Sequence, residues 1–470
     1  MIVKTQHNIK QLIKKYRAKD NTPIVFDFKK ASKDLWDNKC DKDNRYINYI
    51  HYYPGRIYPY IPLYVLSLND FSHLNGYLLD PFAGSGTILL ESIINPVFKR
   101  NAIGVEINPL ARLISKVKLT PIDLATVPQL MKKLHILYLR KADTSNYIPT
   151  FKNINLWFFN KAIKKLAKLK YAIEKLNVSV DYKDFFWVCF SSIIRKVSKA
   201  DPYIPPPVLL KPEKYKNNPN KYQKLKNHLN RAEDPEVWNL FETGVNKNLA
   251  KLGYLNNFEE LRTGKIKAEI IWYDARCIKR GQLSERGRID INQTKKLPLN
   301  SFDIIFTSPP YLTAQKYIRT SKLELLWLGY SEKDINSLDK TSIGTERIPS
   351  KARITELSIN SIDSLVNRTF SKSKGRGLMV YNYFENMVKV FKEMYCLLRK
   401  GGYAIFVVGC NKVLGEKVDT YRLLTDEAIS VGFKEILIFK DKIRTRSMMT
   451  KRNGTGGIIK NEYIIMLKKE

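Results

Sequence analysis

The chain is poor in the residues that build disulfide frameworks and metal centres. Its five cysteines, Cys40, Cys189, Cys277, Cys396 and Cys410, are scattered without a Cys-x-x-Cys pair, and its five histidines are isolated from one another. Both patterns exclude a zinc-ligand spacing and a secreted disulfide scaffold; they predict reduced thiols in an intracellular protein, and no metal site. No apolar run approaches the length of a membrane span, and the opening MIVKTQHNIKQLIKKYRAKD lacks the apolar stretch of a secretion signal. No Gly-Lys-Ser or Gly-Lys-Thr follows a glycine loop, so a nucleoside-triphosphate phosphate loop is excluded as well.

Acids are also in short supply. With 45 Asp and Glu against 81 Lys and Arg, the formal net charge is +36. A field of that sign favours a polyanion, and nucleic acid is the first candidate. A coding bias that enriches Lys, Asn and Ile would raise the charge in the same way, so charge needs a site beside it.

What is present is an alternation of strand and helix. YLLDPF (77–82) reads as a strand and GTILLESII (86–94) as a helix; NAIGVEINP (101–109) and LARLISKVKL (110–119) repeat the pair. From about 120 to 265 the spacing is mainly helical, as in 158–176 and 184–200, followed by a Pro-rich strut, DPYIPPPVLLKP (201–212). Strand signals return at KAEIIWYDA (267–275) and SFDIIFTS (301–308). The stretch 330–378 shows no convincing period. A helix over 383–398 is expected to stop at Gly401–Gly402 before a strand at 403–409. A helix at 420–433 and strands at 434–441 and 462–469 complete the pattern. Alternation on both sides of a helical block predicts one α/β domain with a large insertion, preceded by a basic arm over 1–45.

Three strand ends carry chemistry. DPFAGSGT (80–87) joins a strand to a helix, where an open parallel sheet presents ligands, and Gly84 and Gly86 let backbone approach closely. A dinucleotide fingerprint needs a further glycine where Leu89 stands. Glu106, ending the next strand, can accept from both hydroxyls of a ribose. Asp274, ending the third, can accept from an adenine amino group or cap a helix. Together they describe a pocket for an adenosine with a small charged tail rather than for a pyrophosphate. The fourth strand ends at a rigid corner, Ser308-Pro309-Pro310-Tyr311, carrying a hydroxyl and an aromatic ring.

DPFAGSGT followed downstream by TSPPY resembles the paired signature motifs of S-adenosylmethionine-dependent amino-methyltransferases that act on DNA. HYYPGRIYP (51–59) resembles the segment that precedes the glycine loop in that family and closes over the methionine moiety. The resemblance covers roughly 50–120 and 267–470 and implies a Rossmann-like class I methyltransferase sheet, a catalytic domain over 46–120 and 266–470, and a helical insertion over 121–265. By the same resemblance S-adenosylmethionine is held by Tyr53, Pro54, Asp80, Phe82, Gly84, Gly86, Thr87, Glu106, Asn108, Asp274 and Ala275. Ser308, Pro309, Pro310 and Tyr311 then hold the target amine. Members with this motif order place target recognition between the third-strand motif and the Ser-Pro-Pro-Tyr motif. Here only about 30 residues lie there, against about 150 between the second and third strands.

The corner suits its implied task. An exocyclic amine has its lone pair delocalised into the base. Acceptors such as the Ser308 hydroxyl and the Pro309 carbonyl draw its N–H groups out of plane and free that pair. Positioning then supplies most of the catalysis, without a strong general base. The base has to leave the duplex, and Tyr311 offers a stacking face. Ser in the first position resembles cytosine-N4 enzymes more than adenine-N6 enzymes.

The implied partner is double-stranded DNA, with a separate restriction endonuclease encoded elsewhere. Candidate contacts are Lys214, Lys216, Lys221 and Lys224, interleaved with Tyr215 and Tyr222, and Arg444, Arg446, Lys451 and Arg452 before the last strand. A solvated helix face explains the first group equally well. Arg195 is either a structural partner or a DNA contact. An RNA or protein amino-methyltransferase, and a non-catalytic DNA-binding protein on the same fold, are the competing readings.

Overall fold

The structure is a computed structural model that describes residues 7–16, 22–35, 45–278, 297–312, 316–348, 353–443 and 459–470. Ten strands form in chain order: β1 (Ile24–Val25), β2 (Tyr77–Asp80), β3 (Ala102–Val105), β4 (Ala268–Ile271), β5 (Phe302–Thr307), β6 (Leu398–Gly409), β7 (Asn411–Val413), β8 (Glu416–Val418), β9 (Phe433–Lys442) and β10 (Asn461–Lys469). Eight make one sheet in the order β1-β9-β10-β6-β5-β2-β3-β4, and β7 and β8 form a separate hairpin. Every pairing in the large sheet is parallel except those of β10, which runs antiparallel to β6 and β9. This is the Rossmann-like α/β sheet expected.

Alternating side chains fill a core on each face. In β5, Ile304 and Phe306 join one apolar cluster and Ile305 the other; in β10, Ile464 and Met466 oppose Ile465 and Leu467. All six residues of β5 are buried, as a central parallel strand requires. The helices Thr87–Ile93 and Pro109–Leu119 pack on the first face together with the helical block, whose Phe185, Phe190 and Phe241 belong to the same continuous core. Residues 22–35 lie along the sheet edge, where Phe26 and Phe28 pack against Tyr64 and Phe439 in tilted and edge-on contacts.

The chain runs outward from β2 to β3 and β4, then returns to the opposite side of β2 as β5. The order therefore reverses between β2 and β5, and a crevice opens outside their carboxyl ends. The glycine turn follows β2 and the Ser-Pro-Pro-Tyr corner follows β5, so topology alone brings the two motifs face to face.

Two expectations need correction. The stretch 330–378 is largely helical, over Glu332–Thr341 and Asn360–Lys372. The first helix buries only Ile335 and Asp339 and is set by a Ser331–Asp334 capping box rather than by an apolar stripe. The helix expected at 383 begins at Lys374, because Gly377 lets it cross tightly over Phe370 instead of breaking it. Its end is also different: it stops at Leu397, and Gly401–Gly402 lie inside β6 as an irregularity, where pairing jumps from Phe302–Leu398 to Ile304–Tyr403.

Candidate active site

β2 ends at Asp80 and the chain turns through two glycines with left-handed backbone, Gly84 at φ +52° and Gly86 at φ +72°. Their roles differ. A β-carbon on Gly86 would collide with Ser115 Oγ of the neighbouring helix, so this glycine permits close helix packing. A β-carbon on Gly84 would point toward the ring of Tyr53, 3.7 Å away. Gly84 N–H donates to Glu106 Oε2 at 2.8 Å, and Asn108 N–H donates to Glu106 Oε1 at 2.7 Å. Asn108 in turn caps the Pro109–Leu119 helix, accepting from Leu110 N–H at 3.1 Å, and its Nδ2 donates to Tyr53 Oη at 3.2 Å. Burial pushes the Glu106 carboxyl up, and the two N–H donors act against that shift.

Asp274 is held by its neighbour: Arg276 Nε donates to Oδ1 at 2.8 Å, and Arg276 Nη2 pairs with Oδ2. The same guanidinium donates to Asn386 Oδ1 at 2.8 Å and Thr341 O at 3.0 Å, fixing this end of the crevice to the helices behind β6.

The corner after β5 is braced from three directions. Ser308 Oγ donates to Val407 O at 3.0 Å, which spends its single proton and leaves the oxygen an acceptor, with the Tyr311 hydroxyl beside it. Tyr383 Oη donates to Pro310 O at 2.9 Å, and Asn411 Nδ2 to Leu312 O at 2.7 Å. Thr307 joins the corner to the glycine turn, donating to Asp80 Oδ1 at 2.6 Å and accepting from Phe82 N–H at 3.2 Å. Burial raises the Asp80 carboxyl to about 7.

One cleft of about 730 Å³ runs between these groups. Of the residues expected around a cofactor or target, Tyr53, Phe82, Gly84, Glu106, Asn108, Asp274, Ala275, Ser308 and Pro310 line it. Pro54, Asp80, Gly86, Thr87, Pro309 and Tyr311 are not part of the lining. Tyr311 donates to Glu462 Oε1 at 3.2 Å, and burial lifts that carboxyl to about 7. Lys214 lies in the turn Pro212–Tyr215, Lys216 just past it, and Lys221 and Lys224 on the helix Pro219–Glu233, apart from the cleft lining; Lys216 pairs with Glu213 at 2.9 Å. Arg444, Arg446, Lys451 and Arg452 fall outside the described residues. Arg195 donates from Nη2 to Asp201 O at 2.8 Å and to Ile204 O, holding the Pro-rich strut.

The sequence reading missed part of the wall: Tyr317, Ile318, Thr341, Ser342 and Ile343. Tyr317 lies six residues past Tyr311, with its ring against Gly55. Ile318 follows it on the same short helix, and Thr341, Ser342 and Ile343 lie at the end of the helix Glu332–Thr341 and just past it, where the sequence shows no apolar period. Glu106, with lone pairs left on both oxygens, and the bare backbone of Gly84 suit a ribose-bearing ligand in this cleft.

No protein-family model matches the chain. It is 25% identical over 469 residues to the Type II methyltransferase M.MvaI of Kocuria varians, covering 93% of this chain and 96% of that protein. A second relative, the Type II methyltransferase M.BsoBI of Geobacillus stearothermophilus, is 23% identical over 440 residues, 83% of this chain and 80% of its own length. The Type II methyltransferase M.AvaI of Nostoc sp. is 30% identical over 149 residues, 28% of this chain and 31% of that protein. Among solved structures, the rRNA methyltransferase aviRa of Streptomyces viridochromogenes aligns over 93% of this chain and 92% of its own, at 10% identity and a TM-score of 0.27. Along nearly its whole length, helical block included, the chain is thus similar to Type II methyltransferases.

Proposed function

We propose that the chain is a site-specific DNA methyltransferase that moves a methyl group from S-adenosylmethionine to the exocyclic amine of an extruded base, cytosine N4 rather than adenine N6. One observation carries the reading: a single cleft at the sheet's switch point is lined by Gly84, Glu106 and Asp274 at one end and by Ser308 and Pro310 at the other. Whole-length similarity to Type II methyltransferases supports it independently.

Glu106 and Asn108, with Tyr53, would hold the ribose and the methionine part, and Asp274 with Ala275 the adenine. S-adenosylmethionine supplies, when bound, an electrophilic methyl group. Ser308 Oγ, its proton committed to Val407, accepts from the target amine and draws its lone pair out of conjugation. The double proline fixes the direction of that acceptor, and Tyr383 fixes the prolines. Residues 46–120 and 266–470 act as the catalytic unit, and 121–265 contributes to target recognition. Ser308 in first place of the corner resembles enzymes that modify cytosine N4. A restriction endonuclease on another chain is the expected counterpart.

Incubation with radiolabelled S-adenosylmethionine and separate DNA, RNA and protein pools tests this, followed by nucleoside digestion and mass analysis. N4-methylcytosine in DNA is the expected product. Label confined to RNA or protein would overturn the reading, and N6-methyladenine in DNA would overturn the choice of base.

A further inference from the structure

Beside the mouth of the cleft, the segment Asn48–Arg56 meets two helices of the helical block. Tyr53 and Gly55 line the cleft, while Tyr49 and Tyr52 turn outward, 47% and 42% exposed. Lys251 Nζ donates to Tyr49 O at 2.7 Å, and Asn248 Nδ2 to Ile50 O at 2.9 Å, which ties the segment to the helix Val237–Leu252. The Arg56 guanidinium sits 4.0 Å above the Tyr49 ring and donates to Asn48 O. On the other side, Arg195 carries the strut that displays Tyr203, 53% exposed.

Four cations crowd this face: Arg56, Lys196, Lys247 and Lys251. Partial desolvation and then Lys247 depress both Lys196 and Lys251, and burial depresses Arg56. None of the four makes an ion pair with a carboxylate among the described residues, whereas Lys116 on the Pro109–Leu119 helix and Lys165 on the block are paired with Asp184 and Asp234. The nearby carboxyl, Glu324, is buried and raised to about 7, so it offers little counter-charge. Near Tyr52, Glu324 Oε2 and Arg195 Nε are buried without a hydrogen-bond partner among the described residues. Like charges left unneutralised, with exposed rings between them, are what a phosphate backbone with stacked or splayed bases would complete.

We propose that this face, with Tyr49, Tyr52, Arg56, Lys196, Lys247 and Lys251, grips the sugar–phosphate backbone of duplex DNA next to the base being modified. The proposal rests on the methyltransferase reading above. It moves the main DNA contact from the 214–231 stretch to the junction of the 48–56 segment with the helical block.

The test is duplex binding by fluorescence anisotropy across a salt series, for the full chain and for Lys196→Gln/Lys247→Gln, with S-adenosylmethionine binding followed by calorimetry. Both lysines are exposed and can be neutralised without opening the core. The double variant should bind duplex at least tenfold more weakly, with a log–log salt slope shallower by roughly two, about 0.9 per lost phosphate contact. Its cofactor affinity and thermal midpoint should be unchanged. Amine labelling of the native protein supplies a second measurement, in which bound duplex should protect Lys196 and Lys247. Wild-type affinity and slope in the variant, or no protection, would overturn the interface even while N4-methylcytosine forms in DNA. A wild-type chain that binds no duplex would overturn the interface and the methyltransferase reading together.

Discussion

At the Gly84 end of the cleft, the ligand-facing groups are held by local backbone: two N–H donors fix Glu106, and a helix cap fixes Asn108 and through it Tyr53. At the Ser308 end they are held by distant elements, with β6 accepting from Ser308 and the Lys374–Leu397 helix reaching Pro310 through Tyr383. Gly84, Glu106 and Asn108 lie within about 30 residues of chain and are held mainly by one another, with Tyr53 and Asp274 brought in from outside that stretch. The second is assembled from segments about 75 to 100 residues apart. The contrast suggests a division of labour, in which the local end sets affinity for the methyl donor and the assembled end sets the rate of transfer.

The sharpest way to break that division is Ser308→Ala. Methyl transfer at saturating donor should fall by about a hundredfold, the scale on which a misplaced reacting group is felt. Donor affinity by calorimetry should stay within about twofold of wild type. A comparable collapse of donor affinity would mean that the two ends are not separable.

Glu106→Ala probes the opposite end. Removing a carboxylate that accepts from two N–H groups and faces the cleft forfeits roughly 1.5–3 kcal/mol of charge-assisted hydrogen bonding. Donor affinity should fall by about one to two orders of magnitude, while the rate at saturating donor stays within a few-fold. A variant with unchanged affinity and a slow turnover would reverse the assignment.

The local end was also the legible one. Strand, glycine turn and helix follow one another in the sequence, so Gly84, Glu106, Asn108 and Asp274 could be placed on one sheet edge without knowing the fold. The corner at Ser308 was legible as a rigid turn, but its bracing was not, because nothing local marks Tyr383 or Asn411 as partners. Tyr317 and Thr341–Ile343 went unseen for a different reason. The helix that carries Thr341 is held by a capping box and ion pairs around Asp339, so it shows no apolar stripe to read. The Asn360–Lys372 helix did carry a signal, Ile362, Leu365, Val366 and Thr369 at i, i+3, i+4 and i+7, hidden by a polar surround. At Gly377 the long helix runs straight through, because a β-carbon there would collide with Phe370 and the glycine allows the two helices to cross closely.

Asp80 lies on the seam, accepting a hydrogen bond from Thr307, the residue before the corner. Its carboxyl is raised to about 7 by burial, well above the ordinary carboxylate range expected once unfolded. The native chain therefore holds a proton that the unfolded chain has released. The stability this contributes is complete below about pH 4 and is lost as pH rises through about 7. Asp80→Asn should remove that decline, so denaturant unfolding measured at about pH 5 and pH 8 should differ less in the variant than in wild type. An equal pH dependence in both would show that Asp80 ionises in the native chain as it does unfolded.

Tyr383→Phe gives the finest separation, because it removes one hydroxyl from the corner and nothing from the cleft wall. The lost bond to Pro310 O is worth about 0.5–1.5 kcal/mol. Tyr383 is fully enclosed, and phenylalanine keeps its packing against Phe384. If the bond serves only to hold the fold together, the variant should lower the unfolding free energy and leave turnover alone. If it aims the prolines, turnover at saturating donor should drop several-fold while donor affinity is unchanged. The second outcome is expected, because Pro310 lies in the cleft wall next to the acceptor at Ser308. A small rotation there would misdirect the acceptor without disturbing Glu106 at the other end.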